Sequence, residues 1–302
     1  MSKIELFFIG FFVLLLGILF TVGYIAIEWQ VGFCALFICV LGIPHGAIDH
    51  IIFMQDGQTT PVRFYSFYFG LMAAYALVWM YFPITSMIAF LLLSAFHFGQ
   101  SQFTHIKLNN KWLKSSLYLV WGISILSALV VYNHSQIEEL ASLNEDVLAL
   151  MPAFHFTINV VILISTSLVT TAILVVLKLR NSIDAKTFGT QFLLFGLIHL
   201  SFLLLPLLVG FTLYFSIIHS MHVLLQEFSF LKRKTKLFGI KHFIKLLTPY
   251  TLVSIVGLAV LLTLSYLQFI PVSGTLLVFI VISILTLPHS IVMDNFYFKL
   301  TK

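Results

Sequence analysis

The chain has 302 residues, of which 60% are hydrophobic and only 9% charged, with a formal net charge of +5 and a mean hydropathy of +1.07. No soluble domain has this composition, and apolar runs of about 20 residues recur along the whole length, which marks a polytopic membrane protein. The basic residues lie in short loops between those runs, so no nucleic acid is needed to explain the charge.

Ten hydrophobic segments follow in chain order, at roughly 4–27, 30–53, 64–82, 83–103, 113–132, 155–178, 188–205, 206–231, 247–269 and 272–298. The first is too long for a signal-peptide core and has no small-residue cleavage site after it, so it reads as a span. The second holds both cysteines, Cys34 and Cys39, at a spacing that gives neither a disulfide framework nor a zinc site. Pro83 and Pro206 each open a segment, where a proline removes no helix hydrogen bond. Lys3 precedes the first segment, and Lys or Arg follows every even one: Arg63, then Lys107, Lys111 and Lys114, then Lys178, Arg180 and Lys186, then six between Lys232 and Lys245, then Lys299 and Lys302. The odd loops lack Lys and Arg, and the longest carries Glu138, Glu139, Glu145 and Asp146. By the positive-inside rule both termini are cytoplasmic. The expected architecture is an all-α, polytopic transmembrane helical bundle of about ten spans forming one integral-membrane domain over residues 1–302. An eight-span version, with a short pair merged or re-entrant, fits the same runs.

Ionisable groups inside such spans are costly, at about 2–3 kcal/mol or more each, and so call for an explanation. His45 in "GIPHGAIDH", His97 in "SAFHFGQSQ", His219 in "FSIIHSMH" and His289 in "LPHSIVMDN" fall in four spans that all run outside to inside. At 1.5 Å per residue each lies roughly 20–25 Å from the outer surface. Four histidines on four helices therefore share one layer, and a metal would offset their burial, since imidazole is the commonest neutral metal ligand. A set dominated by neutral nitrogen suits Fe(II), Zn or Cu.

His222 lies three residues after His219, nearly on its face, and is a candidate ligand. His199 lies at a similar layer with no motif around it, either packing or joining the site. His50 sits near the inner boundary, and His105, His134, His155 and His242 fall in loops or at span ends. Three carboxyl groups lie near the layer: Asp49, Glu227 and Asp294. Asp49 follows His45 by four residues, so it either accepts that imidazole's N–H, caps the helix end or pairs with a basic loop residue. Pro44 and Pro288 each precede a layer histidine and kink their spans, which membrane helices tolerate where the backbone lines a cavity.

"GIPHGAIDH", "AFHFGQSQ", "YFSIIHSMH" and "LPHSIVMDNF", in this order across nearly the whole chain, resemble the Brp/Blh family of membrane β-carotene dioxygenases. The resemblance implies a catalytic domain that uses histidine-bound, non-haem Fe(2+) and O₂ to split β-carotene at its central 15,15′ double bond into two molecules of retinal. It implies iron ligands at His45, His97 and His219. Some members carry a further histidine four residues after the last of these. Here that position is Val223, and the histidine is His222, one residue early. The fourth ligand is then His222 or another layer histidine, His289 or His199. The implied setting is a bacterial inner membrane, with O₂ and β-carotene taken up from the bilayer and retinal passed to a separate opsin. Tyr65, Tyr68, Tyr214 and Tyr297 are candidates to shape a tunnel for the stiff, apolar polyene.

Three other readings fit less well. A di-metal membrane desaturase or hydroxylase needs adjacent histidine pairs, and this chain has none. A retinal-binding photoreceptor needs a lysine deep in a span, and every lysine here falls at a span end or in a loop. A transporter would use the same layer for protons or metal ions, without oxygen dependence.

Overall fold

The computed structural model describes residues 10–13, 15–19, 25–55, 57, 59–106, 108, 110–234 and 238–301. Half of the first apolar run lies outside them, as do Lys3, Lys107, Lys236 and Lys302. Among the described residues the secondary structure is helical throughout, and nine helices are long and apolar enough to cross a membrane: Ile27–Met54, Pro61–Tyr81, Pro83–Phe103, Lys111–Tyr132, Phe156–Leu179, Ala185–Leu204, Leu207–Arg233, Ile240–Tyr266 and Gly274–Leu300. These match the second to tenth expected segments. In a bilayer such helices satisfy their backbone groups internally, and their exposed apolar side chains, such as Leu252, Val253, Val256 and Val260, are suited to lipid.

The chain divides into two compact units. One comprises Met1–Ala35, Ala95–Leu140 and Phe154–Tyr214. Its helices start on ordinary caps: the Asn110 side chain accepts from Leu113 N–H at 3.1 Å and Asp184 from Thr187 N–H at 2.7 Å. Hydrogen bonds from Thr187, side chain and backbone, hold the Asp184 carboxyl below the usual carboxylate range. Lys111–Tyr132 is the central helix, packed on Phe156–Leu179 and Ala185–Leu204. It also meets Pro83–Phe103 backbone to backbone. A Cβ at Gly99 would lie 2.0 Å from the Tyr118 carbonyl oxygen, and one at Gly122 would lie 1.8 Å from that of Ala95. Only glycine permits such a crossing. Polar side chains here pair across helices: Ser124 with Ser167 at 2.7 Å, Gln102 with Gln191 at 2.7 Å, and Asn133 with the Phe202 carbonyl at 3.1 Å. The Cys34 thiol donates to the Leu208 carbonyl, and both cysteines are thiols.

The other unit comprises Leu36–Ser94, Ala141–Ala153 and Phe215–Lys302. Its apolar core is built from Ile48, Ile52, Phe64, Val223, Phe230, Phe243, Val292, Met293 and Phe296. Pro61–Tyr81 packs on Gly274–Thr301, tied by Trp79 Nε1–H donating to Ser283 Oγ at 2.6 Å. In the acidic loop, Asp146 accepts from Ser273 N–H at 2.7 Å, anchoring the start of the last helix.

Candidate metal centre

Within this second unit two histidine-bearing helices are irregular where the histidine sits, and a third carries a proline beside its histidine. The Ile27–Met54 span is α-helical to Phe37, π-helical over Ile38–Gly42 and 3₁₀ over Ile43–Gly46, and the α-helix restarts at Asp49. Pro44 explains the break, because it has no N–H to give and its ring clashes with a continuing α register. His219 lies in a π-helical stretch, Leu213–Ser220, of a kind concentrated at functional sites. His289 follows Pro288 inside Gly274–Thr301.

The three rings are gathered together. His45 lies 5.4 Å from His219 and 4.9 Å from His289 between ring centroids, edge to face in both cases. His45 and His289 each offer a ring nitrogen, within 4.8 Å of one another. All three are buried, at 9%, 3% and 6% exposed respectively. The motif glycines make room for the group. A Cβ at Gly42 would lie 2.9 Å from a ring carbon of Phe215, which stacks on His219, and a Cβ at Gly46 would lie 3.4 Å from His289 Nδ1.

Hydrogen bonds select the nitrogens. His45 Nδ1 bonds to the Gly42 carbonyl, which can only accept, so Nδ1 carries the proton and Nε2 the lone pair. His289 Nδ1 lies 2.9 and 3.0 Å from the two carboxyl oxygens of Asp49. Asp49 Oδ2 also accepts from the Tyr68 hydroxyl at 2.9 Å. Asp49 therefore does hold an imidazole, but that of His289, 240 residues away, rather than His45, four residues away. Its partnership with His289 and its contact with Tyr68 are the features that the sequence pattern does not give. The one signal in the sequence was the repeat of a mid-span proline-histidine pair at 44–45 and 288–289.

The other candidates have the following surroundings. His97 is buried in the first unit, on the helix whose Gly99 meets Tyr118. His222 is half-buried, and its Nε2 lies 2.9 Å from the Gln226 amide one turn on. His199 belongs to the first unit, beside Tyr132 and Phe195. His50 stacks against Tyr65 and lies beside Tyr250. Outside the spans, burial lowers His105 below the ordinary imidazole value. Of the carboxyl groups, Asp49 is in the site, Glu227 is fully buried and Asp294 is exposed. Tyr297 lies in the apolar core of the second unit, and Tyr214 packs among Phe98, Phe202 and Trp121 in the first.

A buried set of imidazoles on separate helices, two of them with the ring proton tied to an oxygen acceptor, suits a borderline divalent metal. Such metals take neutral nitrogen, and their ligating histidines characteristically donate the other N–H to a carboxylate or carbonyl. The residues present thus fit a metal. A family model described as beta-carotene 15,15′-dioxygenase matches residues 36–297, a range that contains all three of these histidines and His97. The chain belongs to the beta-carotene 15,15′-dioxygenase family. It is also 26% identical over 288 residues to a protein named beta-carotene 15,15′-dioxygenase from an uncultured marine bacterium 66A03, covering 90% of this chain and 94% of that one. No solved structure matches. As a carotenoid-cleaving dioxygenase, this family member has reason to keep its polar centre inside the membrane, where its apolar substrate class dissolves.

Proposed function

We propose that the enzyme cleaves β-carotene at the central 15,15′ double bond, using O₂ and non-haem Fe(II), and releases two molecules of all-trans-retinal. The observation that carries this reading is the buried group of His45, His219 and His289, with Nδ1 of His45 and His289 each bound to an oxygen acceptor. These three would hold the iron, and the "HFG" motif supports His97 as a further ligand. His289 is preferred to His222 because Asp49 holds its ring, whereas His222 is engaged with Gln226. When bound, ferrous iron supplies the redox chemistry that places both atoms of O₂ on the two carbons of the cleaved bond.

The chain's own residues would do the rest. Imidazoles leave the iron its positive charge, and Asp49 is the carboxyl group that faces the set through His289. The apolar shell of the bilayer spans excludes water, and a polyene enters sideways from lipid. We place the whole chain in one catalytic domain of a bacterial cell membrane, with both termini cytoplasmic and retinal handed to a separate opsin; the alternating loop charge supports the orientation. Expression in a β-carotene-accumulating bacterium tests the activity. The orange cells should bleach and yield retinal by chromatography, with label from ¹⁸O₂ in the aldehyde. Unchanged carotenoid in cells that contain the inserted protein would refute it.

A further inference from the structure

We propose that Asp49 is a positioning residue that, braced by Tyr68, locks His289 in the Nδ1–H tautomer and so presents Nε2 to the metal; as to the metal, the proposal rests on the reading just given. Both carboxyl oxygens of Asp49 are within hydrogen-bond distance of His289 Nδ1, and one also accepts from the Tyr68 hydroxyl. Asp49 is 3% exposed, so no water shell competes for those oxygens. The three residues come from three helices, Asp49–Met54, Pro61–Tyr81 and Gly274–Thr301. They stitch the restart of the broken span to the helix that carries the distant histidine.

The chemistry follows from the donor inventory. A carboxylate only accepts, so the nitrogen facing it carries the proton, and in a neutral ring the lone pair is then on Nε2. Without the acceptor the two tautomers of imidazole are close in energy and the ring can turn. A locked ring loses less rotational freedom on binding metal, and its N–H bond to a carboxylate makes the other nitrogen more basic. Gly46 borders the same ring, since a Cβ there would lie 3.4 Å from His289 Nδ1. The aspartate of the "GAIDH" stretch thus acts on a histidine at the far end of the chain.

The test uses the full-length protein in detergent, stripped of metal, as wild type and as Asp49→Asn, Asp49→Ala and Tyr68→Phe, each checked for a normal melting temperature. Nitrogen-15 NMR of labelled histidine reads the tautomer, with His289→Gln identifying the signal. Wild type should show Nδ1–H at His289, Asp49→Ala a mixture, and Tyr68→Phe, the mildest change, the same tautomer with a weaker hydrogen bond. Titration with Fe(II) or Co(II) against a chelator should show affinity falling about 10- to 100-fold in Asp49→Asn, the range typical of such outer partners, and less in Tyr68→Phe. With metal saturating, kcat should fall while KM for carotenoid stays. A His289 ring in the Nε2–H form, or an Nδ1–H form unchanged in Asp49→Ala, would overturn the proposal whatever the metal does. Unchanged metal affinity in Asp49→Asn would overturn the positioning role. A wild type that binds neither ion, with the tautomer as expected, would sink the iron reading and with it the metal half of the proposal, while leaving the lock itself supported.

Discussion

The two units differ in the polar groups they bury. In the unit around Lys111–Tyr132, neutral side chains pair across regular helices, as Ser124 does with Ser167 and Gln102 with Gln191, and glycines bring backbones into contact. Apart from His97, the buried histidines and carboxyl groups among the described residues lie in the unit that holds His45, where the histidine-bearing helices run through π turns, 3₁₀ turns and an internal proline. A neutral pair answers the demand of the low-dielectric interior locally and needs no further partner. Imidazoles with one nitrogen tied and the other presented do not; they make sense as half of an interaction whose other half is a ligand. Local irregularity that lowers helix stability, set where buried chemistry is concentrated, is the mark of a site rather than of a scaffold.

Four substitutions would break or sharpen this contrast. The largest effect should come from the scaffold: Gly122→Val forces a branched side chain into the Ala95 backbone. Overpacking of that kind should destabilise by about 3 kcal/mol or more and remove most folded protein from detergent extracts, measured by fluorescence-detected size exclusion. Survival of Gly122→Val at normal levels would show that this crossing is not a structural constraint. Next comes the site itself. His289→Ala should insert and fold normally yet lose most of its iron and activity, while His222→Ala keeps most of both; iron per protein in the two variants decides between them. The reverse result would move the fourth ligand to His222. The smallest effect should come from a neutral pair: Ser124→Ala should cost about 0.6 kcal/mol, the average for such bonds between membrane helices, and shift the melting temperature slightly with activity unchanged. A strong loss of activity in Ser124→Ala would mean that the Ser124–Ser167 pair does more than hold two helices together.

The sequence by itself determined the spans. Nine of the ten expected segments correspond to helices, with Pro83 opening one as the missing N–H requires, and half of the other lies outside the described residues. Sequence also singled out His45, His219 and His289, because an ionisable group deep in an apolar run is costly enough to stand out. What only the tertiary structure decided is which groups meet. Asp49 lies four residues after His45, and on a regular α-helix the two share a face. The 3₁₀ turn at Ile43–Gly46 and the non-helical Ile48, before the α-helix restarts at Asp49, shift that phase, so His45 finds the Gly42 carbonyl and Asp49 finds His289. The same limit applies to His222, whose rotation from His219 was reckoned on an ideal helix although His219 lies in a π-helical stretch. Residue spacing converts to direction only through the hydrogen-bond ladder. Where proline breaks that ladder, the packing of distant helices fixes the direction instead.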